Sequence, residues 1–184
     1  MLARLSGQLP PARTLARKIN DASLSLVSRR KFRRLAEAIS IARSSKADGI
    51  YLEAGVALGG TAVFIARLKP HASPLWLFDV FGLIPEPGTE DPAESHKRFN
   101  EIASGNAKGL NGTLYYGYRP DLITEVRKNL ASFGITPENN SVFFIQGITS
   151  EFHPAVPTDP FRGFGLSLPA QRFYIKVSPF SSER

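Results

Sequence analysis

The stretch from Ile50 to Leu68, IYLEAGVALGGTAVFIARL, restricts the fold more than any other part of the chain. An apolar run, Ile50 to Glu53, ends in an acid. Three glycines follow within six residues, at Gly55, Gly59 and Gly60, and then a helix-like run, Thr61 to Leu68, stopped by Pro70. Strand, glycine turn and helix form the first half of a βαβ unit. In such a unit, glycines after the strand let backbone come close to a ligand without a Cβ clash. The amides that open the helix then point toward whatever sits there.

The rest of the chain extends this pattern. Residues 10–22 and 28–45 are predicted helices, Lys46 to Gly49 a turn, and Gly60 to Lys69 a helix. LWLFD, Leu75 to Asp79, is a second apolar strand that ends in an acid. Pro85, Pro87, Gly88 and Pro92 make residues 80–93 a loop, with a short helix from Pro92 to Ala103. Gly105 to Gly117 is a glycine- and tyrosine-rich connection. Pro120 to Phe133 reads as a helix with Leu122, Val126, Leu130 and Phe133 on one face. GITPENN is a turn, and SVFFI, Ser141 to Ile145, a third strand. The alternation predicts parallel βαβ units: an α/β, Rossmann-like, doubly wound parallel sheet preceded by N-terminal helices. After Gln146 the pattern decays among Pro154, Pro157, Pro160 and Pro169. One further strand is expected at 172–177. The sheet is therefore expected to be incomplete, with an open apolar edge through which copies could associate.

A net charge of +7 suggests a nucleic-acid partner until the charge is located. Residues 1–47 hold 11 Lys or Arg against 2 acids, and residues 48–184 hold 12 against 14. The excess sits in a basic helical arm, 1–47, ahead of a near-neutral domain, 48–150, and an irregular tail, 151–184. Within the arm, Phe32, Leu35, Ala36, Ile39 and Ala42 follow helical spacing, so the basic face is expected to be the solvated side of a packed helix. With no cysteine in the chain, disulfides, zinc–thiolate sites and cysteine nucleophiles are excluded. No apolar run is long enough to span a membrane and no apolar leader is visible, so a cytoplasmic protein is expected. His71, His96 and His153 lack metal-ligand spacing.

The acids at the strand ends carry the chemistry. Asp79 lies 24 residues beyond Gly55, where a carboxylate can accept hydrogen bonds from a ribose diol. The pair suggests a nucleoside-bearing cofactor. A dinucleotide needs G-x-G-x-x-G, but here the pattern is E-x-G-x-x-x-G-G, with Ala57 at the second glycine position. S-adenosylmethionine carries an ammonium that favours a nearby carboxylate, and Glu53 is placed for it. A nicotinamide-dependent oxidoreductase or epimerase is the alternative enzyme, and a non-catalytic binding fragment the alternative without chemistry.

The blocks GIYLEAGVALGGTAVFIARL, LWLFDVFGLIPEPGTEDPAESHKRF, GTLYYGYRPDLITEVRKNLASFGI and VFFIQG resemble consecutive blocks of the macrocin O-methyltransferase family over about residues 30–155. The resemblance implies an S-adenosylmethionine-dependent O-methyltransferase, with Mg²⁺, acting on a hydroxyl of a sugar-bearing small molecule. It implies that Glu53, Gly55, Gly59, Gly60 and Thr61 line the methionine end, that Asp79 holds the ribose and that Phe81 sits near the adenosine. Gln146 and Gly147 would border the adenine, and the Val80 to Pro92 loop would close over the cofactor. Tyr115, Tyr116 and Tyr118 are candidates for an acceptor pocket. The family continues with a D-x-D-x-Y strand end and a later acid pair that hold the metal and supply the base. Here RFYIKVSPFSSER stands in that place. The chain as written is therefore expected to be truncated and inactive in methyl transfer.

Overall fold

The computed structural model describes residues 9–44, 49–109 and 112–147. Among them the elements run α1 (Leu9–Asp21), α2 (Arg29–Ser44), β1 (Tyr51–Ala54), α3 (Gly60–Leu68) and β2 (Leu75–Asp79). There follow α4 (Ala93–Ala103), α5 (Leu122–Ser132), α6 (Pro137–Asn140) and β3 (Val142–Gln146). The expected strand at 172–177, His153 and the tail lie outside the described residues, as does most of the Lys46 to Gly49 turn.

The three strands form one parallel sheet in the order β1-β2-β3. Tyr51 pairs with Leu75 and Glu53 with Leu77, while Leu75 pairs with Val142 and Asp79 with Gln146. This is the open parallel sheet of a Rossmann-like fold. Strand alternation divides the side chains between two faces. Tyr51, Leu75, Leu77 and Val142 enter the main core, which also takes residues of α1, α2, α3 and α5. Ile50, Trp76 and Phe78 make a second cluster on the other face, with Leu52 and Ile145 packed against it. β2 is buried along its whole length, as its unbroken apolar run anticipates.

The basic N-terminal segment belongs to this core. Ala12, Ala16 and Ile19 of α1 and Phe32, Leu35 and Ile39 of α2 are buried in the same cluster as α3. The Phe32 ring meets Phe64 with centroids 4.7 Å apart. Arg30, Arg33 and Arg34 are exposed on the opposite face. The macrodipole disfavours cations at the start of α2, so its stability comes from the apolar face. α5 is held by a cap at its start, where Asp121 Oδ1 accepts from Thr124 N at 3.1 Å, and by Leu122, Val126 and Leu130, all buried. The predicted GITPENN turn contains a single short helix, α6, opened by Pro137. Among the described residues no helix is long and apolar enough to cross a membrane.

Candidate functional site

The C-terminal ends of β1 and β2 bring Glu53 and Asp79 to the same face of the sheet, because the Glu53–Leu77 register sets residues 53, 77 and 79 in phase. Both carboxyls are buried. Asp79 accepts backbone amides on both oxygens: Oδ2 from Val56 N at 2.5 Å and Ala57 N at 3.1 Å, and Oδ1 from Phe81 N at 2.8 Å. It thereby ties the glycine turn after β1 to the end of β2. Ala57 and Phe81 sit at φ 51° and 47°, left-handed conformations that side chains disfavour. The staple holds both in place. Glu53 is in the opposite condition, since its Oε2 is buried and no donor among the described residues reaches it. Burial, and then the adjacent Asp79 carboxylate, push the Glu53 carboxyl well above its ordinary range.

A cavity of about 200 Å³ opens beside Glu53. Of the residues expected to bind cofactor, Glu53, Gly55 and Thr61 line it. Its other walls come from Leu24 to Val27 in the α1–α2 connection, from Arg98 on α4, and from the segment that carries Tyr115 and Tyr116. Arg98 pairs with Glu101 at 2.6 Å, and its guanidinium carbon lies 5.5 Å from the Tyr115 ring centroid. The Tyr115 and Tyr116 rings are 4.4 Å apart. Burial raises both phenols above their ordinary range, so they stay protonated at neutral pH. Tyr118 serves the fold instead: its hydroxyl donates to Ile102 O at 2.6 Å and accepts Ala107 N.

The remaining expected residues do not line this cavity. Gly59 sits at φ 83° with Val126 Cγ1 only 2.9 Å from where a Cβ would stand, so it admits α5 against the turn. Gly60 donates its amide to Leu24 O at 3.1 Å, and that oxygen lies 2.5 Å from a would-be Cβ. The glycine pair thus meets protein rather than open space. Phe81 is buried against Phe144, with centroids 5.7 Å apart. Gln146 Nε2 donates to Val80 O, and Gly147 N to Asp79 O at 3.1 Å, which closes the end of β3 onto the end of β2. The loop from Val80 to Pro92 contributes no wall. The Leu24 to Val27 wall was not anticipated, because it belongs to a helix connection with no glycine or acid signal.

An open parallel sheet, a glycine turn between its first strand and helix, and carboxylates at the ends of its first two strands define a Rossmann-like α/β protein. The family model described as macrocin-O-methyltransferase (TylF) matches residues 8–162, and the chain belongs to that family. Among solved structures, the O-methyltransferase NovP is similar at a TM-score of 0.55 with 17% identity, over 73% of this chain and 51% of that one. CalS11, a calicheamicin methyltransferase, gives a TM-score of 0.36 with 10% identity, over 75% of this chain and 58% of that one, too distant to carry an argument. This chain therefore spans about half the length of the structures it matches. None of the curated proteins compared with it matches. The family does not favour the nicotinamide alternative.

Proposed function

We propose that this chain binds S-adenosylmethionine and belongs to the machinery of an O-methyltransferase acting on a hydroxyl of a small, sugar-bearing acceptor. The observation that carries the reading is Glu53: a buried carboxyl with an oxygen that no donor among the described residues reaches, in a cavity shared with Gly55 and Thr61. A ligand ammonium would supply that donor and draw the carboxyl back to its charged form. The cavity is smaller than the clefts that hold whole ligands, about 300 Å³ and upward, which suits the methionine end alone.

The nucleoside end falls to Asp79, Phe81, Gln146 and Gly147 beyond the cavity. Asp79 Oδ2 already accepts two amides and Oδ1 one, and a carboxylate offers about four sites, so one site on Oδ1 remains. It can therefore take one ribose hydroxyl while holding the turn. Gly59 and Gly60 act through the walls they admit. When bound, the cofactor supplies an electrophilic methyl group. Tyr115 and Tyr116, held protonated, can stack on or donate to an acceptor but are poor bases for its hydroxyl proton. Among the described residues no three His, Asp or Glu side chains converge to hold a metal. Among the described residues, none is assigned to the family's Mg²⁺.

Calorimetry with S-adenosylhomocysteine and, separately, NADH tests the assignment. The first should bind and the second should not. Asp79→Ala should weaken the first by roughly 1–3 kcal/mol, from one charge-assisted bond of about 1.5–3 kcal/mol with partial compensation by water. It should also lower the melting temperature, because three amides lose their acceptor. Unchanged affinity well below both melting temperatures would remove Asp79 from the site. Preference for NADH would overturn the assignment as a whole.

A further inference from the structure

The connection between α1 and α2, Ala22 to Ser28, is built as carefully as the glycine turn it faces. α1 ends with Ser23 at φ 54°, a conformation usually left to glycine. Ser23 N donates to Asn20 O at 2.9 Å and Leu24 N to Ile19 O at 3.1 Å, the paired bonds of a Schellman closure. At the other end Ser28 caps α2: its carbonyl accepts Phe32 N at 3.0 Å and its hydroxyl accepts Lys31 N at 3.3 Å. Between them Ser25 Oγ accepts Val27 N at 3.0 Å. At its centre Leu24 O takes the Gly60 amide, the first of α3. A Cβ at position 60 would stand 2.5 Å from that oxygen and 2.8 Å from Ser25 Cβ, so only glycine admits the connection so close.

What this clamp positions is the cavity wall. Leu24, Ser25, Leu26 and Val27 line the same space as Glu53, Gly55 and Thr61. Leu24 and Val27 also pack against the main core, whereas Leu26 is 62% exposed at the mouth. The segment carries no ionisable side chain between Ala22 and Ser28, so it acts by shape, by excluding water and through uncharged groups such as the Ser25 hydroxyl. Water exclusion strengthens the attraction between a buried carboxylate and a ligand ammonium.

We infer that the Ala22 to Ser28 connection is a wall of the methyl-donor site, and that Gly60 is a positioning residue which holds it there through Leu24 O. The inference rests on the S-adenosylmethionine reading and extends it to a segment before the sheet. Three variants test it against S-adenosylhomocysteine. Leu26→Trp should change its emission when the ligand saturates the protein. Ile41→Trp, equally exposed at 64% on α2 but away from the cavity, should not. Gly60→Ala should bind at least tenfold more weakly while circular dichroism shows its helix content kept, even though alanine favours a helix over glycine. Binding by calorimetry with a silent Leu26→Trp overturns the wall. A folded Gly60→Ala with parental affinity overturns the clamp. A parent that binds no S-adenosylhomocysteine overturns this inference together with the cofactor reading. Should Gly60→Ala fail to fold, the two tryptophan variants still decide.

Discussion

The two ends of the sheet each bury an ionisable group, and they treat it in opposite ways. At the C-terminal end Glu53 is 1% exposed, faces a cavity and keeps one oxygen that no donor among the described residues reaches. At the N-terminal end Lys69, just after α3, is 5% exposed and fully engaged. Its ammonium donates to Ser73 O at 2.6 Å, Asn140 O at 2.8 Å, His71 O at 3.2 Å and Pro70 O at 3.3 Å. Those carbonyls come from the turn before β2 and from the last residue of α6, so one side chain ties the starts of β2 and β3 together. Carbonyls gathered on a buried ammonium fix the elements that carry them, although burial still costs the charge, whose pKa it lowers. A buried carboxyl whose oxygen faces a cavity costs stability, and a ligand that supplies a donor recovers part of that cost.

Lys69→Met should have the largest effect on stability, about 3 kcal/mol. Bonds to a charged donor are worth roughly 1.5–3 kcal/mol each, and removing a buried charge gives part of that back. Affinity for S-adenosylhomocysteine should stay within about twofold of the parent. A parallel loss of affinity would break the separation between the two ends. Burial lowers the Lys69 ammonium from 10.5 to about 8. Between those values the unfolded chain binds more protons than the folded one, so this group makes stability rise with pH through that window. Melting temperatures across pH 8 to 10.5 should show the rise in the parent and a flatter profile in Lys69→Met.

Glu53→Gln should show the reverse pattern. Binding of S-adenosylhomocysteine should fall about tenfold to a hundredfold, roughly 1.4–2.7 kcal/mol. Stability at neutral pH should hold or rise by about 1 kcal/mol, because the cost of burying an ionisable carboxyl beside Asp79 is removed. Glu53 is raised above its ordinary 4.5. Its contribution is therefore fully present below that value and is lost as pH climbs through the folded-state value. Relative to Glu53→Gln, the parent should lose stability as pH rises above 4.5, opposite in sign to the Lys69 slope. A glutamine variant that binds as well as the parent would leave the Glu53 carboxyl without a role in binding.

Ala57→Gly gives the smallest expected change and tests whether the site end also carries backbone strain. At φ 51° a side chain costs about 1–2 kcal/mol, and the extra freedom of glycine in the unfolded chain returns about 0.5–1 kcal/mol. A net gain of roughly 0.5–1 kcal/mol in thermal unfolding is expected. A loss would show that the alanine methyl contributes packing in the turn.

Much of this was legible in the sequence. Leu75–Asp79 is the predicted strand to the residue, since a run apolar on both faces and closed by an acid leaves little latitude. The ends of β1, α3 and α5 shift by one or two residues, the usual latitude of caps. Of the residues expected at the cofactor, Glu53, Gly55 and Thr61 are brought to one cavity, and Tyr115 and Tyr116 line it with them. Gly59 and Gly60 were recognisable as places needing close approach, but what approaches was not.

By itself the chain's order of residues determined the elements, their sequence and the acids at the strand ends, because apolar periodicity and glycine placement act over a few residues. Only the tertiary structure decided what those residues meet. It set α5 against Gly59, the Leu24 carbonyl on Gly60, the Asn129 amide on Leu58 O and the Asn140 carbonyl on Lys69, the last two pairs each 71 residues apart. Contacts at such separation depend on how helices and strands pack, and no local pattern encodes that. The same packing buries Glu53 where no donor among the described residues reaches its Oε2, turning an acid at the end of a strand into a candidate binding group.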